Sequence, residues 1–278
     1  MNKIIAGTGF IALLLSTAVS AEPVTKSRVW TENYPVTADA PHLTISNIWG
    51  TVRVRPGPSG QISVTVDETR TAPDQERFDR SLDILRLDIE ADADGVSIVV
   101  GEPTRRWLSR DPCRGCRVDY QFQVSVPKGT KLDVGTVLDG KIDVSGVAGT
   151  ISASNVNGPI SAHELRECEM LESVNGELDV SFQNAPGQDC NIETINGDIT
   201  LALPTGTGLD VALDQFNGNM VSEFAVDPFA LPAIVEHTEH DGQNRYRIQQ
   251  SAGLRLEGGG PMFSISSLNG DVRIQKTQ

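Results

Sequence analysis

One five-residue pattern recurs along this chain and constrains its fold more than any other feature. It consists of an apolar residue, any residue, Gly, any residue and a second apolar residue. The copies are IWGTV at Ile48, LDGKI at Leu138, VAGTI at Val147, VNGPI at Val156, VNGEL at Val174, INGDI at Ile195, FNGNM at Phe216 and LNGDV at Leu268. A tight hairpin would pair Val174 with Glu177, and the same apolar-polar mismatch would recur in the other copies. The pattern therefore favours a β-arc, a corner that turns the chain and keeps both apolar flanks inside.

The β-arc makes specific predictions about the corner residues. Glycine, often preceded by Asn, is expected to supply a positive φ. Four apolar side chains are expected to point into one core, namely Val174, Leu178, Ile195 and Ile199. Asn175 and Asn196 are expected to occupy stacked corners in a left-handed or otherwise glycine-like backbone conformation.

The spacing of the corners predicts that successive copies stack. Six corner glycines lie 9, 9, 18, 21 and 21 residues apart, and a seventh follows in the last copy. These predicted structural corners are Gly140, Gly149, Gly158, Gly176, Gly197, Gly218 and Gly270. A unit of this size cannot bury its inner face alone, so neighbouring units must stack into a solenoid with a continuous core. Because copies also lie at Ile48 and Leu268, both ends of the chain are expected to join the same sheets.

The predicted fold class is all-β: a parallel β-solenoid or β-helix-like repeat domain with an N-terminal β-meander section and one short helix. Alternating apolar residues predict strands at Leu43–Val54, Gln61–Val66, Leu85–Glu90, Val96–Val100 and Val118–Val126. Phe78, Leu82 and Leu85, which follow Pro73, have helical spacing. We expect one domain over residues 22–278, with a β-rich section at 22–127, solenoid units at 128–225 and closing strands at 226–278.

The N-terminus has the pattern of a secretory signal over residues 1–21. Lys3 precedes an apolar run from Ile4 to Leu15, and Val19-Ser20-Ala21 supplies small residues for cleavage. No Cys follows the cleavage site to carry a lipid, and no second apolar run predicts a transmembrane segment. We therefore expect a periplasmic or secreted protein. Without Lys3 the mature chain has 22 basic and 37 acidic residues, a formal charge of −15, which disfavours nucleic acid as a partner.

Two long stretches of the repeat region resemble a known family. They are VPKGTKLDVGTVLDGKIDVSGVAGTISASNVNGPISA, which begins at Val126, and INGDITLALPTGTGLDV, which begins at Ile195. Both are similar to the putative adhesin family of bacterial β-strand-repeat envelope proteins, a domain of unknown function, and the likeness extends over about Leu43 to Ile274. The resemblance implies an exported or envelope-tethered β-repeat fold. It implies no catalytic residues, because the matching positions are corner and core positions.

The four cysteines form two pairs in the sequence. Cys113 and Cys116 have the C-x-x-C spacing of thiol-disulfide oxidoreductases, but a strand follows where those enzymes place a helix, which favours a local disulfide or paired structural thiols. Cys168 and Cys190 lie at near-equivalent positions of consecutive units, where adjacent strands suit the Cα separation of a disulfide. An oxidising compartment supports both pairings. A four-Cys zinc site is the alternative, although the sequence lacks a second close pair.

Two other groups of residues have side chains that could carry chemistry. His237, His240 and Asp241 are possible metal ligands, but their spacing lacks the helical pattern of a zinc protease and favours a solvated turn. Carboxylates line the repeats at Asp139, Asp143, Glu172, Glu177, Asp179, Glu193, Asp198 and Asp271. Some β-helix enzymes cleave polysaccharides with paired carboxylates. Here three Trp and three Tyr offer little surface for stacking on sugar rings.

The sequence thus predicts a non-enzymatic, exported β-solenoid that presents a repeat face to an envelope component or a partner protein. No catalytic residue, cofactor or metal site is expected. The alternative is a polysaccharide-active β-helix enzyme of the cell envelope.

Overall fold

The computed structural model describes residues 22–101, 113–231, 234–240, 243–249 and 252–277. The expected signal peptide at residues 1–21 lies outside this range. The described residues form one helix, α1 (Gln75–Ile84), and otherwise strands and loops. The strands, in chain order, are β1 (Val24–Pro35), β2 (His42–Ser46), β3 (Val52–Pro56), β4 (Gln61–Ala72), β5 (Leu87–Ala91), β6 (Gly95–Val100), β7 (Arg117–Val126), β8 (Lys131–Thr136), β9 (Ile142–Ser145), β10 (Ile151–Asn157), β11 (Ile160–Leu165), β12 (Met170–Asn175), β13 (Leu178–Phe182), β14 (Cys190–Asn196), β15 (Ile199–Leu203), β16 (Leu209–Asn217), β17 (Met220–Ser222), β18 (Val226–Ala230), β19 (Ile234–His240), β20 (Gln243–Gln249), β21 (Ala252–Leu256), β22 (Met262–Asn269) and β23 (Val272–Lys276).

Two large sheets, both mostly parallel and neither closed, contain nearly all of these strands. The ten-stranded sheet has the order β1-β4-β7-β3-β9-β11-β13-β15-β23-β17. The eleven-stranded sheet has the order β18-β21-β16-β22-β14-β12-β10-β8-β2-β6-β5. Strands β19 and β20 pair antiparallel with each other. The prediction of an all-β chain is confirmed.

Seven strand pairs carry the chain from the eleven-stranded sheet to the ten-stranded sheet. In stacking order these corner units are β2–β3, β8–β9, β10–β11, β12–β13, β14–β15, β22–β23 and β16–β17. Within a unit the two strands belong to different sheets: β12 pairs with β10 and β14, whereas β13 pairs with β11 and β15. Val174 therefore does not pair with Glu177 across a hairpin, and the prediction of a β-arc is confirmed.

The stacking order departs from the chain order at one place. The last unit, β22–β23, lies between β14–β15 and β16–β17 and pairs in parallel with strands on both sides. The first unit, β2–β3, belongs to the same two sheets. The expectation that both ends of the chain join the same sheets is confirmed, but the closing copy is inserted into the stack.

Apolar side chains that alternate along the strands fill the space between the two sheets. In β10, for example, Ile151 and Ala153 are buried, and in β13 Leu178, Val180 and Phe182 are buried. Burial of aliphatic and aromatic side chains at these alternate positions supplies the main favourable free energy of folding, at about 25 cal/mol for each Å² removed from water.

The prediction that both apolar flanks of each corner lie inside is wrong for the first flank. Leu178 and Ile199 are buried as expected, but the side chains of Val174 and Ile195 are exposed by 37% and 39%. The arc turns over the residues between Ser173 and Leu178, so only those two end positions face the core. Nor are the corner asparagines left-handed, because Asp139, Glu164 and Glu257 are the non-glycine residues with positive φ in the described ranges.

Gly149 also lies elsewhere than predicted. It falls between β9 and β10, where the chain returns to the eleven-stranded sheet, and it contacts the backbone of Thr130. Gly140 and Gly158 stack on each other, so one full unit spans 18 residues here. Gly149 is halfway along that unit and therefore lies on its opposite side.

The N-terminal section differs from the predicted β-meander. The stretch predicted as one strand at Leu43–Val54 is split into β2 and β3, which lie in different sheets. These two strands pair in parallel with β6 and β7. The corner at Gly50 causes the split, because it has the same arc as the later copies.

Helix α1 is held against the ten-stranded sheet by a buried arginine from β4. Asp74 caps its N-terminus by accepting a hydrogen bond from the Arg77 amide at 2.8 Å. At the other end, Arg70 donates to the carbonyl oxygens of Ser81 and Leu85, and it forms an ion pair of 2.9 Å with buried Glu68. The guanidinium thus supplies the positive charge that the last turn of the helix lacks.

Candidate binding face

The corner glycines form a column in which each backbone approaches the next too closely for a side chain. A Cβ atom on Gly158 would overlap the carbonyl oxygen of Gly140, and one on Gly197 would overlap that of Gly176. The same holds along the whole column, which in stacking order is Gly50, Gly140, Gly158, Gly176, Gly197, Gly270 and Gly218. The expected positive φ is absent at Gly140 and Gly176, so glycine is required here chiefly by this close approach.

A row of polar side chains lies inside the corners and bonds the glycine column. Ser173 Oγ donates to the carbonyl oxygen of Gly158 at 3.2 Å, and Thr194 Oγ1 donates to that of Gly176 at 3.0 Å. The equivalent donors in the other units are Thr136, Asn155, Ser267 and Gln215. In the first unit Asn47 bonds the carbonyl oxygen of its own Gly50 and that of Tyr120 in β7. These bonds tie each unit to its neighbour and satisfy carbonyl groups that the turn withdraws from the sheets.

The residue after each inner polar residue is apolar and points outward. In register across the eleven-stranded sheet, this outward row comprises Ile48, Val137, Val156, Val174, Ile195, Leu268 and Phe216. Ile48 is half-buried, and the exposed fraction of the others rises from about 37% at Val174 to 77% at Phe216. One apolar side chain on every unit therefore faces solvent along the corner.

Next to the outward row, five asparagines form a continuous hydrogen-bonded ladder. Asn175 Nδ2 donates to Asn157 Oδ1 at 2.9 Å, and Asn196 Nδ2 donates to Asn175 Oδ1 at 2.8 Å. Asn269 and Asn217 extend the ladder with bonds of 2.9 Å each. We call the outward row and this asparagine ladder together the corner face. Its side chains repeat at the strand spacing of about 4.8 Å, and the ladder joins the asparagine side chains of successive units.

The corner face borders a shallow groove with acidic walls. The groove has a volume of about 230 Å³ and is lined by Val156, Val174 and Ile195, with Glu172 and Glu193 beside them. Neither glutamate forms an ion pair within the described part of the chain. A ligand at this groove would thus meet apolar side chains flanked by negative charge.

The other predicted carboxylates have structural partners or lie in the open. Asp139 pairs with Arg117 at 3.0 Å, and Asp179 lies 3.6 Å from His163. Asp198 accepts a hydrogen bond from the backbone N–H of Asp271 at 2.8 Å, and Asp271 accepts one from that of Asn219 at 2.8 Å. Glu177 is exposed. These contacts fix the corners.

Among the described carboxylates, Asp143 has the largest number of cationic neighbours. Arg55 donates to its Oδ1 at 2.8 Å, and Arg53 and Lys141 lie at 3.5 and 4.0 Å. Burial works to raise the pKa of Asp143, but the hydrogen bond and charge of Arg55, with the other two cations, hold that pKa below its usual value. It is therefore a constitutively charged anchor between strands.

Both cysteine pairs are disulfides in the structure. Cys168 and Cys190, in the loop before β12 and at the start of β14, have Cα atoms 5.3 Å apart, and those of Cys113 and Cys116 are 5.4 Å apart. The second pair packs against the carbonyl oxygen of Arg77 in α1. Cys113 begins a turn and strand β7 follows Cys116 directly, so this pair does not begin a helix.

The remaining candidates for metal binding are only partly within the described residues. The backbones of His237 and His240 belong to β19, and Asp241 lies outside the described residues. Within those ranges no three His, Cys, Asp or Glu side chains are grouped to hold a metal ion. In the same ranges, no helix has the length and apolar composition needed to cross a membrane.

Comparison with known proteins gives structural neighbours but no family. No known family matches the chain, and no curated protein is significantly similar in sequence. Among solved structures, a putative cell adhesion protein from Clostridium sporogenes is 11% identical, covers 92% of this chain and 100% of its own, and has a TM-score of 0.42. A putative adhesin from Bacteroides fragilis is 9% identical, covers 90% and 97%, and has a TM-score of 0.35.

The outward row and the asparagine ladder are the surface features that the motif interpretation missed. A signal for them was present in the sequence, because a small polar residue stands three positions before Gly in most copies, as Ser173 and Thr194 do. Such a residue fits the core side of a tight arc, where it can bond a backbone carbonyl group. The apolar residue after it must then point outward.

Proposed function

We propose that this protein is an exported, non-enzymatic β-solenoid that binds an envelope component or a partner protein through its corner face. The term solenoid rests on the stacking: each corner unit pairs with the units beside it, and the glycine column and inner polar row repeat from unit to unit. On this interpretation residues 22–278 form one domain whose repeats serve as a scaffold.

The observation that carries the proposal is the continuous outward row. Isolated exposed apolar residues are normal on a protein surface, whereas contiguous ones mark interaction sites. Here an apolar side chain is retained on each of the seven units, although the same strands place polar residues at neighbouring outward positions such as Ser154 and Ser266. The asparagine side chains beside the row are already hydrogen-bonded to one another, so they lose little further conformational entropy on binding.

Export is supported by the two disulfides, because such bonds persist in oxidising compartments. The hydrophobic N-terminal stretch of the sequence supports the same location.

The test is capture from an envelope extract with immobilised mature protein and two matched variants. The double variant Val174→Ser and Ile195→Ser removes the centre of the outward row, and because both side chains are exposed it should change stability by no more than about 1 kcal/mol. The control variant, Ser161→Asn and Thr200→Asn, alters half-exposed positions on the outer face of the ten-stranded sheet.

The proposal predicts that a defined species is captured by the parent protein and the control but at least tenfold less by the double variant. Equal capture by all three proteins would contradict it. Cleavage of envelope polysaccharide by the purified protein would contradict its non-enzymatic part, and a Glu172→Gln and Glu193→Gln variant would then show whether those carboxylates are responsible.

A further inference from the structure

Strand β1 is a long strand at the edge of its sheet, and within the described ranges one of its sides has no partner strand. It spans twelve residues, Val24–Pro35, and stands at the end of the ten-stranded sheet, where it pairs with β4 alone among the described strands. The other strands at sheet ends are shorter: β5 and β18 have five residues each, and β17 has three. An open edge of this length is a template for pairing with another strand.

The hydrogen bonds of the neighbouring strands show which backbone groups of β1 face outward. The amides of Tyr120 and Phe122 in β7 donate to the carbonyl oxygens of Trp49 and Thr51, which lead into β3. The even-numbered residues of β7 therefore face β3, and its odd-numbered residues face β4. The register pairs these with odd-numbered residues of β4, such as Thr65 with Gln123, which leaves the even-numbered residues of β4 to face β1.

In β1 the residues paired with those even-numbered positions are themselves even-numbered, as in the pair of Trp30 with Val66. Their backbone groups are therefore bonded to β4. The backbone groups that point away from the sheet belong to Thr25, Ser27, Val29, Thr31 and Asn33. Val29 is the middle residue of this set, and its side chain is 65% exposed.

Two exposed charges of β1, on Lys26 and Glu32, are complementary about Val29. Lys26 and Glu32 lie three residues to either side, both are exposed, and neither has an ion-pair partner of opposite charge in the described part of the chain. Lys26 lies over the ring of Phe78 at 4.6 Å, and Glu32 accepts a hydrogen bond from Tyr34. When two such strands lie antiparallel, the Lys26 position of one is opposite the Glu32 position of the other.

We propose that two copies of this protein dimerise by antiparallel pairing of β1 with β1, about a two-fold axis at Val29. In this register Val29 faces Val29 of the partner subunit, and Lys26 faces Glu32 of the partner subunit. Thr25 and Asn33 then pair across the axis, and each of the outward-facing residues exchanges backbone hydrogen bonds with the partner. The two ten-stranded sheets become one continuous sheet.

Neighbouring registers are less favourable. An axis at Trp30 places Thr25 opposite Pro35, which has no amide hydrogen to donate. An axis at Arg28 places the two arginines face to face, where like charges repel. The register about Val29 avoids both problems, and it places Arg28 opposite Trp30, whose ring already stacks on an arginine within one chain at 4.4 Å.

The first test is disulfide cross-linking of single-cysteine variants. All four native cysteines are in disulfides, so an introduced cysteine is the only free thiol. Paired residues at the axis have Cα atoms about 5.5 Å apart, within disulfide range, so Val29→Cys should form covalent dimers on mild oxidation. Thr25→Cys and Asn33→Cys are the controls, because each lies eight residues from its own copy along the pairing, ~27 Å.

The expected result is at least tenfold more cross-linked dimer for Val29→Cys than for either control. Equal cross-linking of all three variants would indicate random collision, and it would overturn the proposal, as would absence of dimer from Val29→Cys.

The second test uses charge reversal, measured by sedimentation equilibrium over a range of protein concentrations. Lys26→Glu and Glu32→Lys each place like charges opposite one another and should raise the dimer dissociation constant at least tenfold. The double variant restores opposite charges in the swapped order and should recover the parent value. A parent protein that stays monomeric, or a double variant as weak as the single ones, would overturn the proposal. Thermal unfolding of each variant as a monomer shows that the fold is retained.

Discussion

Single residues set the geometry of the corners, and glycine does so by its lack of a side chain. Replacing Gly197 by Val would drive Cβ into the carbonyl oxygen of Gly176 and force neighbouring units apart. We expect a loss of about 1–3 kcal/mol or more in the free energy of unfolding, measured by urea titration. Gly187→Ala is the control, because its Cβ would meet only the flexible side chain of Glu167 at 3.4 Å. Equal stability of the two variants would contradict the close stacking.

The asparagine ladder makes a pH-dependent prediction. Asn196 donates to Asn175 and accepts from Asn269. In Asn196→Asp the carboxylate has no proton to donate to Asn175, so the neutral form should be favoured in the folded state and the pKa of the new carboxyl group raised. The variant should thus be destabilised relative to the parent at pH 7, by about 1–2 kcal/mol. The difference should shrink as the pH falls through the raised pKa of the folded state and should be smallest below the unfolded pKa of about 3.9.

The control for this experiment is Asn196→Ala, which loses the same hydrogen bonds without adding a titratable group. Its loss of stability should be the same at pH 7 and pH 3. A parallel pH response of the Asp and Ala variants in urea unfolding would show that the ladder bond to Asn175 is absent in solution.

Among the elements, helix α1 depends on a residue outside itself. Arg70 bonds the helix C-terminus, Glu68 and the hydroxyl of Tyr120, and it is 2% exposed. Burial, with the nearby Glu68 carboxylate, raises the pKa of Tyr120 to about 12, so its hydroxyl stays protonated at neutral pH. Arg70→Met leaves Glu68 with its more exposed partner Arg28 and leaves the helix carbonyl groups unbonded.

We expect Arg70→Met to cost about 3–5 kcal/mol in the free energy of unfolding, because a buried charge loses its partner. The matched control is Arg86→Met, which breaks an ion pair of 2.9 Å with Asp88 whose side chains are largely exposed, and should cost no more than about 1 kcal/mol. A similar small cost for both variants, measured by urea unfolding, would mean that Arg70 is not the anchor of α1.

The strands and corners were predictable wherever a local rule decides them. Glycine at Gly176 and Gly197 reveals the arcs, because close backbone approach leaves no alternative residue. Phe78 and Pro73 likewise predicted the helix, which the structure places at Gln75–Ile84. The orientation of Val174 was not predicted, because the assumption that apolar residues face the core ignores the space taken by Ser173 inside the turn.

The place of β22–β23 in the stack could not be read from the pattern. Its corner has Asn269 and Gly270, the same Asn-Gly pair as several other units. The hydrogen bonds of Asn269 and the close approach of Gly270 could therefore form next to any of those units. The choice depends on long-range packing: Phe263 lies 5.6 Å from Phe182, ring centre to ring centre, in the core. Interactions of this kind join residues far apart in sequence and leave no local periodicity.

At the scale of the whole molecule, the stacked units turn a short motif into a long surface. The outward row passes from unit to unit at one corner, and acidic side chains border it, in keeping with the formal charge of −14 for the full chain. The open edge of β1 belongs to the other end of the ten-stranded sheet from β17, so dimerisation there leaves the corner face of each copy available.

The most direct test of the binding account is the reactivity of a cysteine placed in the corner face. Val174→Cys should react rapidly with a soluble thiol reagent in the purified protein, because the position is exposed. After incubation with envelope extract its labelling should slow at least tenfold, whereas Ser161→Cys on the ten-stranded sheet should label equally in both conditions. Slow labelling of Val174→Cys in the free protein would contradict the outward orientation, and labelling unchanged by the extract would contradict binding at the corner face.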